Sequence, residues 1–334
     1  MKGKKGHKAK WLVLAAILLS GCSGDDSPND ANYNNGKDSE IHFNADVWRV
    51  MEGTRATTYD SQAAIQAESQ GFVCYAYNDG TATLYDNIDQ TTVRYVTDHW
   101  AFQDGIHSWP DNALNFFCIM PAGLANTYCS YDKEAYDSSS NLDGYSEDTP
   151  RITCSNLPVA ITAGSTDNTK ELIYAYVANQ SKDGPEGRSG VTLTFRHPFA
   201  RVYFKLSAAS GSAVKVNSIT IPGIYRNGLC TFNGAANPQT SMWSNLSNPD
   251  NFVLSAPSSG VATDDDTPYI VIPNNYGTKT FTVKATWAEW SSEVEIDVSA
   301  DVSVNWQPGY SYTYTLTLSK YALKVDTSKY TEQW

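Results

Sequence analysis

The sequence predicts an all-β protein built from antiparallel β-sandwiches. Three observations predict it. Apolar and polar side chains alternate with period two along most of the chain, as in strands with one face in a core and the other in water. Helical periodicity is nearly absent, and only 60–68 (DSQAAIQAE) reads as a short helix. Segments containing Gly, Asn, Ser and Asp separate the alternating runs, as hairpin and loop connections do. Short strands without covering helices must bury their apolar faces against another sheet.

Taken in order after the short helix, the strand candidates are 71–77, 92–97, 114–120 and 171–178. The run from Val191 to Leu206 (VTLTFRHPFARVYFKL) holds two parities. Val191, Leu193, Phe195 and His197 share one, and Val202, Phe204 and Leu206 share the other. A switch around Pro198–Ala200 implies a bulge or bend, where proline is tolerated. Further candidates are 214–221, 251–255 and 269–273. The clearest alternation comes late. Phe281, Val283, Ala285 and Trp287 interleave with Thr282, Lys284 and Thr286. Val294, Ile296 and Val298 interleave with Glu295 and Asp297. Tyr310, Tyr312, Tyr314, Leu316 and Leu318 interleave with Ser311, Thr313, Thr315 and Thr317. Residues 41–334 leave room for two domains. The most linker-like segment is Gln180 to Gly190 (QSKDGPEGRSG), which sets the expected domains at 41–185 and 186–334. Residues 136–150 read as a polar loop of the first.

The N-terminus has its own logic. Lys2, Lys4, Lys5, Lys8 and Lys10 form a basic region, and Trp11 to Leu19 an apolar one too short to span a bilayer. Leu18-Leu19-Ser20-Gly21-Cys22 follows, with small residues before a cysteine, which is what a lipoprotein signal peptidase accepts. Residues 1–21 are therefore expected to be a lipoprotein signal peptide, cut between Gly21 and Cys22, with Cys22 lipidated and holding the chain in the outer membrane at the cell surface. Two or more acyl chains give stable anchoring. Residues 22–40 are polar and acidic and are expected to be a flexible tether. Losing residues 1–21 removes five lysines and no acid, so 24 basic residues become 19 against 36 acids, a formal charge of −17. Such a chain does not bind nucleic acid or an anionic membrane by charge.

Chemical motifs are scarce. Cys74, Cys118, Cys129, Cys154 and Cys230 remain after Cys22, with no CxxC spacing. Cys74 and Cys118 lie in apolar runs and read as small core residues. Cys129 with Cys154 is a candidate disulfide. His99, His107 and His197 lack ligand spacing, and the parity of His197 makes it a core histidine. No HExxH, GxSxG or P-loop pattern is present. Asp264-Asp265-Asp266 reads as a solvated acidic loop in preference to a calcium site. Trp109, Trp243, Trp287, Trp290 and Trp306 read as core in preference to a row that stacks on sugars. No metal, no cofactor beyond the lipid on Cys22, and no enzymatic activity are expected.

The order of several short motifs resembles the fimbrillin family, the type V pilins and their relatives. These are the lipobox at Cys22, Ile41-His42-Phe43-Asn44-Ala45, Gly53-Thr54-Arg55-Ala56-Thr57, and Leu114-Asn115-Phe116-Phe117 before Pro121. Glu171-Leu172-Ile173-Tyr174-Ala175, Leu193 to Val202 (LTFRHPFARV) and Trp306 to Tyr312 (WQPGYSY) complete the series. The resemblance implies two tandem transthyretin-like β-sandwich domains and assembly into surface fibres. It implies that a trypsin-like protease cuts after an arginine beyond the first strand, which leaves and is replaced by a terminal strand of the next subunit. On this chain Ile41, Phe43, Ala45 and Val47 form the inward face of the displaced strand. The cut is expected between Arg55 and Ala56, with Arg49 as the alternative. The donor is expected in Tyr321 to Trp334, with Tyr321, Leu323 and Val325 inward. An anchor subunit would need no cut, so Arg55 points to stalk or tip. The expected partners are other fimbrial subunits, the protease, the outer membrane, and a host or bacterial surface glycan or protein. The alternative expectation is a monomeric surface lipoprotein that binds glycan.

Overall fold

The computed structural model describes residues 40–47, 59, 61–79, 84–85, 88–123, 129–131, 151–157, 160–162, 172–208, 214–231, 243–256, 264–287, 294–319 and 322–333. The chain is all-β. In order it forms β1 (Phe43–Val47), α1 (Gln62–Gln66), β2 (Phe72–Asn78), β3 (Thr91–Val96), β4 (His99–Phe102), β5 (Leu114–Met120) and β6 (Cys129–Tyr131). Then come β7 (Arg151–Cys154), β8 (Ala160–Thr162), β9 (Ile173–Gln180), α2 (Pro185–Ser189) and β10 (Val191–Phe195). The remainder is β11 (Ala200–Ala208), β12 (Val214–Thr231), β13 (Trp243–Ser255), β14 (Asp264–Val271), β15 (Asn275–Trp287), β16 (Val294–Asn305), β17 (Tyr310–Ser319) and β18 (Ala322–Gln333).

The first sheet runs β10-β1-β4-β3-β2-β5-β9. Its outer strands meet where Tyr174 and Arg196 exchange backbone hydrogen bonds of 3.0 and 2.7 Å. The sheet therefore curls around one core, which includes Phe43, Phe72, Phe116, Ile173 and Phe195. Ile65 of α1 joins that core, and Ser61 caps the helix by accepting from the Ala64 amide at 3.1 Å. A second core lies between the sheet β14-β11-β17-β18 and the sheet led by β16-β15-β12-β13. Here period two holds well: Phe281, Val283, Ala285 and Trp287 are buried, and the threonines and lysine between them are half-buried.

A third cluster covers the outer face of the first sheet. Val73, Tyr75, Phe117, Ile119, Leu172 and Tyr174 pack with Phe199, Cys230, Trp243 and Ile272. β2 and β5 are thus buried on both faces, which is why FVCYAY and LNFFCIM do not alternate.

The parity switch at Pro198 is a change of sheet. Val191, Leu193 and Phe195 belong to the first core, and Ala200, Val202 and Phe204 to the second. Trp243 Nε1 donates to Pro198 O at 2.7 Å, and the Gly309 amide donates to Phe199 O at 2.8 Å. The HPFAR and WQPGY motifs therefore meet, and parallel pairing of β11 with β17 starts just beyond them at Arg201 and Ser311. A division between 185 and 186 would separate β10 from the sheet it borders. The 180–190 segment carries α2 instead of open linker, held where the Ser181 amide donates to Glu186 Oε1 at 2.8 Å. In the other direction, β7 and β8 pair with β12 and β13 of the later sheet.

Two local readings change. Pro222-Gly223 reads as a stop after 221, yet β12 continues through it as a bulge, with Gly223 at φ 70° and a register shift against β13. Asp264 and Asp265, expected in a loop, lie in β14 opposite Lys205 and Phe204. A row of acids is compatible with a strand when the strand lies at a sheet edge, as β14 does.

Candidate functional site

β1 is an interior strand of the first sheet. It pairs in parallel with β10 over five positions, from Phe43↔Val191 to Val47↔Phe195, and meets β4 at Phe43↔Trp100. Its short sequence alternates cleanly: Ile41, Phe43, Ala45 and Val47 are buried at 4, 4, 2 and 5 % exposure, while Asn44 and Asp46 are exposed. Phe43 is the anchor. Its ring meets Phe102, Phe116 and Phe72 edge-on, with centroids 5.4, 5.5 and 5.7 Å away, an arrangement favoured by the ring quadrupoles.

Backbone contacts hold the ends of this strand. The Ile41 amide donates to His107 O at 2.8 Å and the Val191 amide to His42 O at 2.7 Å. Asn44 Nδ2 donates to Ser189 O. Gly190, at φ 89°, makes this approach possible. A Cβ there would stand 3.1 Å from Asn44 Nδ2 and 3.3 Å from His42 O, in a backbone region that favours glycine. The 180–190 segment is also tied to the chain before β5, by Lys182 Nζ to Asp111 Oδ1 at 2.9 Å. That hydrogen bond lowers the Asp111 carboxyl and raises the Lys182 ammonium from their ordinary ranges.

Beyond Val47 the next described residue is Tyr59, whose hydroxyl donates to Glu68 Oε2 at 2.6 Å. Tyr59 lies in the same core as Val47. Arg49, Arg55 and Ala56 fall in the connection between these two buried anchors, outside the described residues.

β18 is held differently. It is the outer strand of β14-β11-β17-β18 and pairs antiparallel with β17 alone. Leu323 is buried, Val325 half-buried, and Ala322, Lys324 and Asp326 are exposed. Tyr321 lies outside the described residues, as do Gly21, Cys22 and the loop 136–150. Cys129 and Cys154 are directly opposite across β6 and β7.

The clamp at Ser189–Gly190, the carbonyl of His107 and the Phe102 ring were not expected from the sequence. The isolated glycine after a PEGRS turn was the available signal, but it looked like linker composition. His197 is buried, and Trp109, Trp243, Trp287 and Trp306 are buried, which leaves them unavailable for stacking on sugars; Trp290 lies outside the described residues. Among the described residues no group of three or more His, Cys, Asp or Glu is placed to hold a metal ion, and no helix is long and apolar enough to cross a membrane.

Comparison with known proteins follows the same outline. The chain aligns with a candidate cell adhesion protein of Bacteroides uniformis ATCC 8492 at a TM-score of 0.52 and 15% identity, over 87% of this chain and 98% of that one. A candidate cell adhesion protein of Bacteroides ovatus ATCC 8483 gives 0.51 and 15%, over 88% and 96%. The C-terminally truncated tip fimbrial protein Mfa3 of Porphyromonas gingivalis gives 0.42 and 9%, over 88% and 100%. At these identities the first two alignments establish a shared fold. No curated protein sequence matches the chain. A fimbrillin-like family model matches residues 54–334, nearly the whole of the described fold, and the chain belongs to the fimbrillin-like family.

Proposed function

We propose that this chain is the precursor of a structural subunit of surface fimbriae, stalk or tip, which polymerises by strand exchange and supports adhesion. The observation that carries the reading is β1, a short interior strand whose three inward side chains, and Ile41 just before them, are all buried. Removing it leaves β10 and β4 with unpaired edges and uncovers the pocket around Phe72, Phe102 and Phe116. Burying Ile41, Phe43 and Val47 is worth roughly 1.5–3 kcal/mol each, so the vacated slot favours a replacement strand.

A trypsin-like protease cutting between Arg55 and Ala56, or alternatively after Arg49, frees β1 while Tyr59 keeps the new N-terminus seated through Glu68. The donor is the C-terminal strand, with Leu323 and Val325 as its inward residues and Tyr321 just ahead of them. Signal peptidase cleavage between Gly21 and Cys22 and lipid on Cys22 hold the precursor in the outer membrane until the cut releases it. The work is strand addition, with no catalysis by this chain. Other fimbrial subunits are its main partners, and a surface glycan or protein is the adhesion target.

Limited digestion of the chain with an Arg-specific protease tests the reading. The expected result is one early cut after Arg55, followed by heat-labile oligomer ladders, with both lost in Arg55→Ala. A clean cut that leaves only monomer defeats the strand-exchange mechanism.

A further inference from the structure

Cys74 of β2 and Cys118 of β5 stand directly opposite each other in an antiparallel pair. Both side chains face the N-terminal core, and both are fully buried. The hydrogen-bonding parity of β2 fixes how close they come. Ala76 uses its N–H on Ile88 O (3.0 Å) and its C=O on the Tyr85 amide (2.8 Å), both on the side away from β5. The Asp79 amide, of opposite parity, donates to Ala113 O at 2.9 Å on the β5 side. Even-numbered residues of β2 therefore turn their backbone groups away from β5, which makes Cys74–Cys118 a non-hydrogen-bonded pair. In such pairs the Cα atoms stand about 4.5 Å apart and the side chains are at their closest. A disulfide accepts Cα separations of about 4.4–6.8 Å, so the bridge fits these strands without moving them.

We propose that Cys74 and Cys118 form a disulfide in the mature protein. The chemistry is thiol–disulfide exchange with a disulfide-bearing oxidoreductase of the cell envelope. One cysteine, as thiolate, attacks the oxidant's disulfide and expels one of its thiols. The other cysteine gives up its proton and attacks the mixed disulfide, which expels the second thiol. Two protein thiols are oxidised to one Sγ–Sγ bond, and the oxidant's disulfide is reduced to two thiols. Because the finished core buries both sulfurs, the exchange takes place while β2 and β5 are coming together. The loop it closes, residues 74–118, carries β3 and β4, and β4 is one wall of the slot that β1 fills. The bridge braces that wall whether or not β1 is present.

The test is peptide mapping of the full chain, isolated from the cell envelope without reductant, denatured and alkylated. Trypsin cuts after Arg55, Arg94 and Lys133, and cyanogen bromide cuts after Met120, which separates Cys118 from Cys129. The expected product is 56–94 joined to 95–120, two hydrogens lighter than the free pair and split by reductant. Alkylated Cys74 and Cys118, or Cys74 joined to any other cysteine, would overturn the proposal. For a loop of this length, reducing and refolding the chain is expected to lower its folding equilibrium constant by roughly a thousandfold. Equal stability of the two forms would overturn the bracing role.

Discussion

β1 and β18 are the first and last strands among the described residues, and they are held in opposite ways. β18 has the longer ladder, ten register positions against β17, but only that one hydrogen-bonded neighbour, and among the residues whose side chains are described only Leu323 and Val325 are its inward apolar ones. β1 has five positions against β10 and a single one against β4, yet three buried side chains with Ile41 buried just before them, and an aromatic ring enclosed by three others. Backbone hydrogen bonds are largely exchanged for bonds to water when a strand leaves, whereas apolar burial is not. β1 is therefore the more tightly held strand despite its shorter ladder. Its departure also breaks both sides of a sheet at once, while β18 leaves by opening one ladder. An assembly that replaces the former with the latter needs a chain cut at one end and only peeling at the other.

The largest effect that sharpens this contrast is truncation of the anchor. Phe43→Ala is expected to cost about 3–5 kcal/mol in urea unfolding, and Leu323→Ala, at an edge where the site can relax, about 2 kcal/mol. Equal costs would break the comparison. Alkaline pH comes next. Burial raises the hydroxyl of Tyr312 to about 12 and those of Tyr276 and Tyr314 further, all around the core that β18 borders. A folded pKa raised above the free phenol's gives stability that is complete below pH 10 and fades as pH rises through the folded value. At pH 11 each such tyrosine has forfeited about 1.4 kcal/mol. Burial raises the hydroxyls of Tyr75 and Tyr174 on the first sheet as well, so urea unfolding of the whole chain is expected to show lower stability at pH 11 than at pH 9, and equal stability would count against the burial of these tyrosines. The smallest effect is at the clamp: Asn44→Ala removes one exposed hydrogen bond to Ser189 and is expected to cost about 0.5–1 kcal/mol, with faster exchange at the Val191 amide.

Much of this was legible in the residues. Phe281 to Trp287 and Tyr312 to Leu318 alternate because only one face of each strand meets a core, so period two reports burial directly. The inward parity of Ile41, Phe43, Ala45 and Val47 was readable for the same reason. Where both faces are covered, as in β2 and β5, alternation vanishes and the sequence says only that the run is apolar. The 180–190 segment misled because turn-forming composition is the same whether a turn hangs in water or packs against a strand.

By itself, then, the sequence determined the strand class, the inward faces, the break at Pro198 and the family. Those follow from local rules: side-chain alternation, proline's missing donor and motif order. Only the tertiary structure decided that β1 lies between β10 and β4, that β18 lies at an edge, and that Cys74 faces Cys118 with no backbone bond between them. Pairing across a sheet joins residues far apart in the chain, and its partner and register are chosen by the packing of whole faces, which no local pattern encodes.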